Sequence, residues 1–112
     1  MAKFMLLFFG SYADYDRLPE EAKRKQYDAV GRWWSDNRRH LRGGEQLQHE
    51  RTAKTVRKRA RPLTVTDGPF IEAKEGIGGF AIVEVADKQA AIEIAKGWPA
   101  GGVEVRPIVE GR

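Results

Sequence analysis

The stretch KFMLLFF, residues 3–9, puts apolar side chains on both faces of any extended backbone. In a strand, Phe4, Leu6 and Phe8 point one way and Met5, Leu7 and Phe9 the other. A strand with one wet face alternates, so this run predicts a central strand covered on both sides. Its apolar part, FMLLFF, is six residues long and is followed by Gly10 and polar residues. That is too short to cross a bilayer and carries no cleavage-site pattern, so a buried strand is expected and a membrane partner is not.

Working outward, Pro19 and two glutamates open a helix. Tyr27, Val30, Trp34 and Leu41 recur at offsets of 3, 4 and 7 on one side, and Gly43-Gly44 supplies a stop. The expected helix runs from 19 to 42. Trp33 and Trp34 are adjacent on it and cannot share one face, so one of them belongs to an interface or a cleft. TVRKR and PLTVT then read as a hairpin, GGFAIVEV (78–85) as a second buried strand, and Asp87 as the cap of a shorter helix that buries Ala91, Ile94, Ala95 and Trp98. VEVRPI (103–108) alternates, and Pro107 suits an edge strand.

The predicted fold class is α+β, a ferredoxin-like split βαβ sandwich with an extra hairpin strand. Two helices cover only one face of such a sheet. The other face needs a partner sheet or must line a cavity; with apolar side chains on both faces of the first strand, a homodimer forming an α/β barrel is expected. Leaving those apolar side chains wet would cost about 1.5–3 kcal/mol each.

At 112 residues, with 41% hydrophobic and 32% charged, the chain has room for a single domain spanning 1–112. It contains no cysteine, which removes disulfides and thiolate chemistry and suits a cytoplasmic location. The net charge of +4 is unevenly spread, with an acidic stretch FGSYADYDRLPEEA and a basic block RTAKTVRKRAR at 51–61. That block lacks the interleaved aromatics of a nucleic-acid platform, so nucleic acid is not an expected partner.

TDGPFIEAKEGIGGF, followed by AIVEV and then VEVRP, resembles the DGPF family within the wider YCII-related group. FMLLFFG, GGEQLQ and TAKTVR lie where that family has similar segments, so the resemblance covers nearly the whole chain. It implies a ferredoxin-like fold that dimerises into a barrel with a cleft between sheet and loops. Some DGPF proteins are encoded beside alternative sigma factors, which implies a regulatory link. Other members of the group resemble acid/base enzymes with a His–Asp pair whose histidine lies in the first helix. This chain has Gln26, Tyr27 and Asp28 there, and its histidines are His40 and His49.

The expected catalytic residues are Asp67 and Glu72. Asp67 precedes Gly68-Pro69, so its carboxylate is held in a stiff turn, either as a general base or as an Asx-turn that only hydrogen-bonds backbone amides. His49, Tyr27, Phe70, Lys74 and Glu75 complete the expected set around a small molecule, with Lys74 set between the Glu72 and Glu75 carboxylates. The glycines at 76, 78 and 79 lack the Lys-Ser/Thr of a phosphate loop. No metal site or cofactor is expected, because the two histidines lack ligand spacing. Two functional classes follow. One is a homodimer that binds a small molecule, with acid/base chemistry. The other is a non-catalytic regulator acting through Arg57, Arg59 and Arg61.

Overall fold

The computed structural model describes residues 1–58, 62–70 and 74–111. Strand β1 (Ala2–Gly10) is central, as its composition requires, paired antiparallel with β5 (Gly76–Val85) on one side and β6 (Gly102–Pro107) on the other. Strand β2 (Leu41–Gln46) adds to the far edge of β5, so the sheet runs β2-β5-β1-β6. That order, with α2 (Glu20–Asp36) between β1 and β2 and α3 (Lys88–Lys96) between β5 and β6, makes an α+β architecture compatible with a ferredoxin-like fold.

The core lies on the helix side of the sheet. Phe4, Leu6 and Phe8 of β1 and Ala81, Val83 and Val85 of β5 are buried with Trp33 of α2 and Ala91 of α3. Asp87 caps α3, its carboxylate accepting from the Ala90 amide at 2.9 Å. Met5, Leu7 and Phe9, on the opposite face, are only half-buried, beside the similarly half-buried Phe80 and Ile82. The alternation along β1 thus separates a helix-covered face from an open one.

Three elements differ from the sequence reading. The long helix stops at Asp36, where the Asn37 side chain donates to the Trp33 carbonyl at 2.9 Å. A 3-10 turn at Arg38–His40 follows, and Gly43-Gly44, expected to stop a helix, instead sit inside β2. A third helix, α1 (Tyr12–Asp16), precedes α2; Ser11 caps it by accepting from the Asp14 amide at 3.0 Å. The expected hairpin exists, as β3 (Lys54–Arg57) paired with β4 (Thr64–Asp67), but it forms its own two-stranded sheet. The second strand of the main sheet is therefore β2. No helix among the described residues is long and apolar enough to cross a membrane.

Candidate functional site

A cleft of about 610 Å³ opens at the end of the sheet where β1 runs into α1. Its floor is the end of β1 and the glycine-rich start of β5; α1 and the stretch of α2 from Gln26 to Trp34 form one wall, and the chain leaving β2 towards His49 forms the other. Glycine is needed at this floor. A Cβ on Gly76 would lie 2.5 Å from a Glu50 carboxylate oxygen and 3.2 Å from the Tyr12 ring, so the absent side chain is what lets both approach.

His49 lines the cleft, and its Nε2 lies 3.1 Å from Oδ2 of Asp16, which stands outside the lining. The other ring nitrogen, Nδ1, accepts the Arg51 backbone N–H at 3.1 Å. With Nδ1 engaged as acceptor, neutral His49 carries its proton on Nε2 and donates it to Asp16. His49 also closes the 3-10 turn at Glu50–Thr52, with its carbonyl accepting from the Thr52 hydroxyl at 2.8 Å. Both imidazole nitrogens are thereby occupied, and the acceptor left open by this pair is the second oxygen of Asp16.

Tyr12 stands over His49, ring centroids 4.5 Å apart, and its hydroxyl donates to the Ile77 carbonyl at 3.2 Å. Burial, and then the Glu50 and Asp16 carboxylates, hold the Tyr12 phenol's proton above the ordinary tyrosine range. An unfolded tyrosine ionises near about pH 10, so the folded chain binds the extra proton above that point. The associated stability is complete below about pH 10 and is lost as pH rises through the folded value. Tyr12→Phe is expected to unfold at an offset from wild type that is constant near neutrality and shifts in the variant's favour above about pH 10. Thermal unfolding followed across alkaline pH measures it, and an offset that stays constant there contradicts the assignment.

Of the residues expected from sequence, His49 and Tyr27 line this cleft. Asp67 does not; its side chain is 87% exposed and ion-paired with Lys54 at 2.5 Å across the β3–β4 pair. Phe70 is 60% exposed, its carbonyl accepting from Arg57 at 2.9 Å. Thr55 Oγ1 donates to the Gly68 carbonyl at 2.7 Å, so the Asp-Gly-Pro-Phe bend is tied to its own hairpin. Lys74 and Glu75 are exposed just ahead of β5, and neither lines the cleft. Glu72, Arg59 and Arg61 lie outside the described residues. Trp34, not Trp33, faces the cleft. Asp16, Tyr12 and Glu50 were missed as site residues; the one signal available was Ser11 followed by Asp14, a cap pattern that would have marked a helix there. Among the described residues, no three His, Asp or Glu side chains converge as a metal site.

The model of the YCII-related domain matches residues 21–112. The chain belongs to the YCII-related family. Among curated proteins no relative matches. Within this YCII-related domain protein the match contains His49 and the Asp-Gly-Pro-Phe bend, whereas Tyr12 and Asp16 precede it. The His49–Asp16 pair therefore joins a matched segment to an unmatched one.

Proposed function

We propose that this YCII-related protein binds a small molecule in the cleft and moves a proton on it, with Asp16 as the base. The observation that carries the reading is the His49 Nε2–Asp16 Oδ2 pair at 3.1 Å, with His49 lining a 610 Å³ cleft and Asp16 half-exposed beside it. A carboxylate oriented by an imidazole N–H and left with one open oxygen is a positioned proton acceptor. Tyr12, whose hydroxyl proton is engaged by the Ile77 carbonyl, offers the ligand its oxygen as an acceptor. The base role moves from Asp67 to Asp16, while His49 and Tyr27 stay at the ligand. Fold by itself would not support this, since ferredoxin-like sheets host many chemistries.

The same reading takes the working unit as a homodimer. The supporting observation is the half-buried row Met5, Leu7, Phe9, Phe80 and Ile82 on the face that the helices leave open. Covering it would return a part of the about 1.5–3 kcal/mol that full burial of each such side chain is worth. Two readouts test the whole. Enolisable carbonyl compounds incubated in D2O should exchange a C–H proton, and Asp16→Asn should slow this by about a hundredfold or more. Exchange unaffected by Asp16→Asn overturns the chemistry, and a solution mass of one subunit overturns the dimer.

The alternative, a regulator linked to a sigma factor through its basic surface, draws on the hairpin. Its strands are exposed on both faces, with Val56 and Val65 opposed and open to solvent beside Lys54 and Arg57. The cleft, with its oriented carboxylate, favours the first reading.

A further inference from the structure

We propose that the cleft selects an organic cation, a small molecule whose apolar body carries a protonated amine. This deepens the reading above by naming the ligand's charge class, and it rests on the same cleft being the binding site.

Two independent features agree. The walls are rich in electron-dense rings, with Tyr12, Tyr15, Tyr27, Trp34 and Trp98 all facing the space. Such faces attract ammonium groups, and Tyr15 already holds one of the chain's own, with Lys23 Nζ 5.3 Å from its ring centre. Second, 20 of the 112 residues are lysine or arginine, yet none of the described residues lining the cleft is either. Carboxylates stand there instead. Asp14 and Glu45 line the cleft, while Asp16 and Glu50 stand behind lining residues, Asp16 against His49 and Glu50 beside Gly76 and Tyr12. Asp14 is paired with Arg17, whereas no cation pairs with Glu50 among the described residues.

The chain's net charge of +4 would by itself draw anions. That attraction is spread over the surface and is screened within about 8–10 Å in physiological salt. Among the described residues lining the cleft, an anion would find no lysine or arginine and would face aromatic rings, so the local lining decides.

Calorimetric titration of the full chain with three probes of similar shape tests the proposal: phenethylammonium, phenethyl alcohol and hydrocinnamate. Phenethylammonium is expected to bind at least about tenfold more tightly than the alcohol, with hydrocinnamate weakest. Glu50→Gln and, separately, Tyr27→Leu should each narrow the gap between ammonium and alcohol; two variants guard against either one failing to fold. His49→Gln should slow proton exchange yet keep the preference for phenethylammonium, so the charge class and the acid/base chemistry fail separately. Equal affinity for the three probes, a preference for hydrocinnamate, or absence of phenethylammonium binding overturns the proposal.

Discussion

Replacing Trp33 by alanine is expected to destabilise the fold by about 3–5 kcal/mol. Trp33 is 4% exposed and stands where both helices meet the sheet. Its ring meets Phe8, Trp34 and Trp98 edge-on, with centroids at 5.4, 5.3 and 5.2 Å, while Phe8 and Trp98 stack at 3.7 Å. The indole N–H donates to the Ile94 carbonyl at 3.1 Å, fastening α2 to α3. Truncation removes the whole ring and leaves a cavity that three rigid aromatics cannot collapse into. At about 4 °C per kcal/mol for a chain of this size, the midpoint should fall by about 12–20 °C. Trp33→Phe should cost much less. The Ile94 carbonyl keeps the Gly97 amide as a donor at 3.2 Å, so no buried acceptor is orphaned. Urea unfolding of the two variants decides it, and a Trp33→Ala loss below about 1 kcal/mol contradicts this account of the core. Because Trp34 and Trp98 also wall the cleft, the variant should lose ligand response along with stability.

How far such features were legible before folding depends on the range of the forces involved. The double-faced run at 3–9 announced the central strand, and Asp87 announced α3, because each signal lies within one element. LRGGEQ carried the opposite message. It has no β-branched residue and a Gly-Gly pair, which locally reads as a helix end. It becomes a strand because β5 offers an unpaired edge, and pairing there satisfies amides that would otherwise be left over. At five residues α1 is too short for periodicity to register. The site divided along the same line. His49 stood out by its rarity, whereas Asp16, 33 residues away, meets it only once β1 and β2 share a sheet. Nothing local distinguishes that carboxylate from Asp14 or Glu20.

The second glycine of that pair gives the other large effect. Gly44→Ala is expected to cost about 3 kcal/mol, from overpacking and from strain at positive φ together. Gly44 has a φ of +143°, and an added Cβ would lie 2.6 Å from the Phe80 carbonyl oxygen, 2.8 Å from the Ala81 Cα and 2.9 Å from the Trp34 ring. Two of these neighbours are backbone of β5 and cannot step aside, so β2 must lift off its partner. Its far end carries the chain to His49, and the same displacement should pull the imidazole from Asp16 and open the cleft. The matched control is Gly31→Ala in α2, where nothing lies within 4 Å of the new methyl. There alanine should stabilise by about 0.5–1 kcal/mol, since glycine in a helix interior holds more freedom to lose. One substitution type is thus expected to have opposite signs at two positions 13 residues apart. Chemical unfolding of both variants, with the His49 ring followed by NMR, reads the contrast. A Gly44→Ala protein as stable as wild type would mean that β2 does not approach β5 as closely as its glycines allow.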